Sequence, residues 1–386
     1  MEPRTRNIII IAVIGVLLLG GGLAWFFLKG NADGERGGGI FGGRLPLGGT
    51  KTEPPSTTPS GTEPTAPAGK LLQVTNKEVA AAGFDEDNKT IRYIVRENGH
   101  VFDVDTSSLS LNPKESSSSN LEGVLAAVWS PDRKTVVAQI LSQGKIRHYL
   151  LSLQKGVNSR FLPDGITSLD WSPSSKELAF TRFQNNKGVI SVLGLSAKTP
   201  TTLYESPVPD LRIDWIKPLE LAITTPFSGF AHSPIFTLNR TTKNISTLRH
   251  PLLGLGFLFS PQADKVVISK TESDGNNLST YIEEYSGRNI YNLPVGTQAE
   301  RCAWLKNGKL VYCAVPVDPF KKPQPDSFYQ GLESIKDELV EINLELVNNQ
   351  ILTELPFSVK SLGVNNAGDT FFFIRLDDQA LWVWKK

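Results

Sequence analysis

The sequence predicts an all-β chain: a seven-bladed β-propeller of four-stranded blades over residues 70–386, preceded by one membrane-spanning helix and a linker. Three observations carry this. An aromatic residue, a turn and an apolar run recur as one device, first at Phe84 and then at Trp129, Trp171, Trp215, Phe259 and Trp304, with Val364 in the last slot. The successive spacings are 45, 42, 44, 44, 45 and 60 residues. The segment LLQVT (71–75) reads as a fourth strand with no preceding three, and the last unit stops one strand short at Lys386.

Residues 1–6 form a short polar tail. Residues 7–28 are expected to be a membrane helix: from Ile8 to Leu28 no residue is charged, and a helix of that length spans about 30 Å, the thickness of a bilayer's hydrocarbon core. A cleaved signal peptide is the other reading, since Gly22-Leu23-Ala24 offers small residues for cleavage. The apolar run continues through Trp25, Phe26, Phe27 and Leu28, which suits an uncleaved signal-anchor with aromatics at the membrane interface. Arg4 and Arg6 precede the helix while Lys29, Arg36 and Arg44 follow it, so positive charge does not set orientation; the N-terminal position favours the bulk of the chain outside the cytoplasm, at the cell envelope. Residues 29–69 turn Gly-rich and then Pro/Thr/Ser-rich. Such a composition cannot bury enough apolar surface to offset ordering, and a flexible tether reaching about 35 Å is expected.

Each unit from residue 70 onward reads as four short strands. The first ends at the aromatic, and a turn of Ser, Pro, Asp, Asn and Gly follows. The second is a nearly continuous β-branched or aromatic run (VVAQI, LAFTR, LAITT, VVISK, LVYCA, FFFIR), as expected of a strand covered on both faces. The third alternates, as in HVFDV, PIFTLN and TYIEEY, and the fourth is shorter and more polar, as in SRFLP, TTLYE and IYNLP. A four-stranded sheet recurring every 40–45 residues cannot bury both its faces alone, so copies must pack around an axis. LLQVT should complete the last blade and put Leu71, Val74, Leu381, Trp382 and Val383 in one sheet, removing an open seam.

The Trp-Ser-Pro of 129–131 and 171–173 and the Phe-Ser-Pro of 259–261, with the apolar strands behind them, resemble the WD-repeat-like propellers typified by the TolB C-terminal domain. The resemblance covers residues 71–386 and implies architecture more than function. The chain departs from the repeat where Trp215 is followed by Ile-Lys-Pro and where Val364 replaces the aromatic.

Three residues before the anchor, where blades crowd the axis, stand Ala81, Ala126, Ser168, Arg212, Gly256, Arg301 and Ser361. Arg212 and Arg301 are the large exceptions. Either they present guanidinium forks at the axial channel to a ligand's carboxylate or phosphate, or they pair internally with Asp210, Asp214 or Glu300. The spacing of 60 localises an insertion at 316–334 in the sixth unit, between its second and third strands. Its Phe320, Phe328 and Tyr329 either anchor a partner, with Lys321 and Lys322 at the rim, or pack as a lid over the chain's own channel mouth. Cys302 and Cys313, the only cysteines, flank a hairpin centred on Asn307-Gly308 and are opposite each other; a cross-strand disulfide and a pair of buried thiols are both open.

Composition excludes some classes. With 40 Lys+Arg against 39 Asp+Glu the net charge is +1, and no basic stripe for nucleic acid is present. No G-x-S-x-G elbow or H-E-x-x-H zinc signature occurs, and His100, His148, His232 and His250 lack ligand spacing. No catalytic residue, metal or cofactor is therefore expected. The leading expectation is a non-enzymatic, membrane-tethered scaffold that binds a protein or a cell-envelope polymer. The alternative is a small-ligand or glycan-binding sensor using the channel mouth; a hydrolase or lyase with acids on the channel rim is the third.

Overall fold

A computed structural model describes residues 69–108 and 110–386. The expected tail, membrane helix and all of the linker but its last residue lie outside the described residues. Among the described residues no helix is long and apolar enough to cross a membrane.

Seven four-stranded antiparallel sheets make up the chain from Lys70 to Lys385. The first blade runs β2 (Val79–Phe84), β3 (Thr90–Val95), β4 (Val101–Asp105) and β5 (Lys114–Ser117), and the second β6 (Val124–Trp129), β7 (Thr135–Ser142), β8 (Lys145–Ser152) and β9 (Arg160–Phe161). The third begins with β10 (Ile166–Trp171), the fourth with β14 (Arg212–Lys217), the fifth with β18 (Gly256–Phe259) and the sixth with β22 (Cys302–Trp304). The seventh takes β26 (Val359–Val364), β27 (Thr370–Arg375) and β28 (Leu381–Lys385), and its fourth strand is β1 (Lys70–Thr75). Leu71 pairs Trp384, Leu72 pairs Val383 and Gln73 pairs Trp382. The two terminal segments of the repeat region thus share one sheet, as expected.

The apolar clusters explain why the sheets stack. There are seven, and each draws on two neighbouring blades: Ile94 and Val101 with Trp129 and Val136, Val137 and Leu150 with Trp171 and Phe180, and onward around the ring to Val383 and Leu381 with Ile91 and Val79. No blade holds a core of its own, so each is dried by its neighbours.

The repeated Trp and Ser have separable physical roles. Trp171 Nε1 donates to the Val128 carbonyl at 3.1 Å, Trp304 Nε1 to Leu258 at 3.1 Å and Trp129 Nε1 to Ala81 at 3.4 Å; each acceptor lies on the innermost strand of the preceding blade. The Trp therefore fills the seam and satisfies a carbonyl across it. The Ser after it is buried and ties the turn: Ser130 Oγ accepts the Thr135 N–H at 3.0 Å and Ser260 Oγ that of Lys265 at 3.1 Å. Asn365 Oδ1 does the same for Thr370 in the seventh blade.

The two departures from the repeat are compensated locally. In the fourth blade the Trp215 Nε1 has no partner, but the Arg240 guanidinium lies 5.0 Å from the indole centroid and clamps Glu177 of the third blade at 2.7 and 3.0 Å. In the seventh, Val364 leaves room that Tyr312 and Phe371 fill with an edge contact at 4.8 Å. Cys302 and Cys313 are register partners and are joined by a disulfide.

Candidate functional site

The innermost strands line an axial channel, and the insertion crosses one mouth of it. Within the insertion a single turn of helix, α1 (Asp326–Tyr329), is held to three blades. Asp326 Oδ2 accepts the Gly229 N–H at 2.7 Å, the Gln324 N–H donates to the Gly275 carbonyl at 2.7 Å, and Gln298 Nε2 donates to Gln324 Oε1 at 2.6 Å. A Cβ on Gly229 would stand 2.2 Å from the Gln324 carbonyl oxygen, so the close seating of the lid depends on this glycine.

The lid's aromatics divide between the lid's own packing and the lining of the cavities beneath it. Phe328 is buried and packs with Phe320 at 6.5 Å. Tyr329 is 49% exposed, yet its hydroxyl donates to Glu300. Enclosure beside the Glu300 carboxylate holds that phenol well above its ordinary range. Lys321 and Lys322 are exposed; their backbone N–H groups donate to Glu333 at 2.8 and 3.1 Å, and the Lys322 Nζ donates to the Leu332 carbonyl at 2.5 Å. Phe328, expected as a possible partner anchor, is consumed by the lid's own packing.

Arg301 is not an axial residue. Ala299–Arg301 forms a 3₁₀ turn ahead of the three-residue strand β22, and this rotation carries the side chain out of the axial row into the seam between the sixth and seventh blades. It is 0% exposed. Its Nε donates to the Val359 carbonyl at 2.9 Å, Nη2 pairs with Asp337, and Nη1 reaches Thr297 at 3.3 Å and Gln298 at 3.4 Å. The Phe328 ring lies 5.0 Å from Cζ. The fork is filled by the chain itself. Burial raises the Asp337 carboxyl against the pull of Arg301.

Arg212 does reach the axis, where it is engaged from two sides. Its Nη2 pairs with Glu300 and its Nε lies 3.9 Å from Asp214 Oδ2, while Cζ stacks over the Phe227 ring at 4.1 Å. The chain Arg212–Glu300–Tyr329 joins the fourth blade to the lid. Tyr329 borders two spaces: one of about 410 Å³ against the first and seventh blades, and one of about 640 Å³ against the second, third and fourth.

The larger cavity gathers residues that the sequence reading did not assemble. Asp170 Oδ1 accepts the Trp171 N–H at 2.8 Å and Oδ2 accepts the Trp215 N–H at 2.7 Å, which seats it beside Asp214. Burial, then the Asp214 charge, pushes Asp170 up to about 7, and Asp214 is raised as well, first by burial. Asp214 Oδ2 has no hydrogen-bond partner. His148, on β8 of the second blade, lines the same cavity and is lowered by burial. The signal for the carboxylate pair was present: LDW (169–171) and IDW (213–215) put Asp immediately before the anchor in consecutive units. His148 had no such signal, because its neighbours in the site come from other blades. Among the described residues no group of three or more His, Cys, Asp or Glu is arranged to hold a metal.

No family model and no curated protein matches the chain. Solved structures do. An oligogalacturonate lyase from Vibrio parahaemolyticus superposes with a TM-score of 0.60 at 8% identity, covering 83% of this chain and 94% of that one. An oligogalacturonate lyase in complex with manganese gives 0.58 at 10% identity, covering 82% and 92%. The β-propeller domain of Cps50 (Swd1) from Myceliophteria thermophila gives 0.56 at 9% identity, covering 82% and 99%. Identities this low show the fold alone. They nevertheless correct the expectation of a non-enzyme: a propeller of this architecture serves as a lyase in two of these structures. The absence of a linear catalytic motif does not bear on that question, since residues of a propeller site converge from separate blades.

Proposed function

We propose that the protein is a tethered recognition propeller whose functional site is the axial cavity beneath the lid, where a small polar ligand binds. The observation that carries this is the convergence of Asp170, Arg212, Asp214 and the lid residue Tyr329 on one cavity of about 640 Å³, within the range of about 300–1,000 Å³ usual for small-ligand sites. The test is a thermal-shift screen of sugars, amines and peptides on the full-length chain and on Ala126→Trp, which fills the cavity wall. Ligands that stabilise the wild type and not the variant support the reading. Stabilisation of both to the same extent would move the site elsewhere.

A TolB-like type is supported by the Trp-Ser-Pro repeats. A position outside the cytoplasm is supported by the uncharged stretch Ile8–Leu28 and by the cross-strand disulfide, which persists in oxidising compartments. External protease on intact cells or spheroplasts should digest the propeller; full protection contradicts the placement.

A scaffold role is favoured by a second observation. Leu141, Ile146, Phe183 and Val208 are exposed and lie at the ends of the second and third blades on the lid's face, where apolar side chains can meet a protein partner. Crosslinking in native membranes should recover a specific protein with the wild type and lose it with Leu141→Asp/Phe183→Asp.

A further inference from the structure

The axial cavity carries a chemical preference, and the inference rests on the reading of that cavity as the ligand site. We infer that it binds an aminated sugar, with a protonated amine seated on the Asp170–Asp214 pair and hydroxyl groups bonded to Gln139 and His148, which line the same cavity from the second blade.

Charge selects the amine. Asp170, Asp210 and Asp214 line the cavity against a single Arg212, which pairs with Glu300 and lies 3.9 Å from Asp214; even with one proton shared by the Asp170–Asp214 pair the acids outnumber the one base. The remaining balance is negative, which opposes a carboxylate or phosphate and favours a cation. Asp214 Oδ2 is buried with no hydrogen-bond partner and with only Arg212 Nε, 3.9 Å away, as counter-charge, so this carboxylate is partly compensated and an amine on the cavity side of the pair lowers the cost.

The second blade's side of the cavity selects the hydroxyls. His148 is 6% exposed and lines the cavity. Neither of its ring nitrogens has a partner among the described residues, and burial keeps the imidazole neutral, so it offers one donor and one acceptor. Gln139, its register partner on β7, also lines the cavity. A bare alkyl diamine would satisfy the carboxylates and leave these two groups unmatched. A neutral sugar would do the reverse.

The experiment is isothermal titration of the full-length chain with four probes: the disaccharide of glucosamine, its N-acetylated counterpart, cellobiose and cadaverine. The glucosamine disaccharide should bind at least about tenfold more tightly than the other three. Asp214→Asn should weaken it by about tenfold or more, and His148→Ala should weaken it by a similar factor while changing cadaverine binding less than about twofold. A melting curve on each variant separates loss of binding from loss of fold, and Gln139→Ala replaces any variant that unfolds. Equal binding of the acetylated disaccharide, undiminished binding by Asp214→Asn, or no binding by any probe overturns the inference. If cellobiose or an acidic sugar binds and Ala126→Trp abolishes it, the axial site stands and only the ligand class falls.

Discussion

The Asp170 carboxylate accepts the backbone N–H of Trp215 at 2.7 Å, so a side chain of the third blade is bonded to the main chain of the fourth at the residue following Asp214. This single contact joins seam and site. It positions a carboxylate pair at the axis, and it ties the two inner strands whose separation would open the cavity.

The seam Trp can be divided into its parts. Trp171→Ala should cost about 3–5 kcal/mol, because it leaves a cavity between the second and third blades. Trp171→Phe keeps most of the volume but strands the Val128 carbonyl, at a cost of about 1 kcal/mol. Urea unfolding of both variants measures the two; equal losses would show that the hydrogen bond, and not the packing, dominates.

Asp170 makes stability pH-dependent. Its folded value of about 7 lies above the ordinary 3.8, so between these values the folded chain holds a proton that the unfolded chain has released. Stability should therefore fall as pH rises from about 4 to about 7. Thermal melts across that range should show a declining midpoint in the wild type and a flatter profile in Asp170→Asn. A wild-type midpoint that climbs over the same interval would contradict the assignment.

Arg301 and Asp337 are both 0% exposed. Arg301→Leu leaves the Asp337 carboxylate buried without its charge partner and should cost about 3–5 kcal/mol. Removing both charges in Arg301→Leu/Asp337→Leu should restore much of that loss. A double variant as damaged as the single would mean that the lost bonds to Val359, Thr297 and Gln298 matter more than the stranded charge.

The lid depends on backbone proximity. Gly229→Ala should push the Gln324 carbonyl away and loosen the insertion, with faster tryptic cleavage after Lys321; the bond after Lys322 precedes Pro323 and is not a tryptic site. Unchanged cleavage would show that the loops accommodate a methyl group.

Much of the frame was legible because its cause is periodic. The aromatic anchors and apolar second strands repeat, and the unpaired LLQVT segment and the truncated last unit complement one another. The strand β5, with the sequence KESS, has no apolar residue and no alternation, so nothing local marked it; it forms because β4 offers it an edge. Arg301 pairs internally, one of the two readings its sequence position allowed, but with Asp337 and not with the nearby Asp210, Asp214 or Glu300. A 3₁₀ turn ahead of a shortened β22 turns its side chain into the seam, and no residue type announces that turn. The Asp170–Asp214 pair was visible as a repeated Asp-Trp, but its significance needs the two blades side by side. His148 enters the site through tertiary placement alone.

The central claim is that recognition occurs at the axis under the lid. Hydrogen exchange of the full-length chain, with and without saturating glucosamine disaccharide, tests it most directly. Slowed exchange is expected, confined to residues 135–152, 166–171, 212–217 and 316–334, around the carboxylate pair, the Gln139–His148 pair and the insertion. Protection elsewhere in the ring, or none in those four segments when the disaccharide is bound, would contradict it.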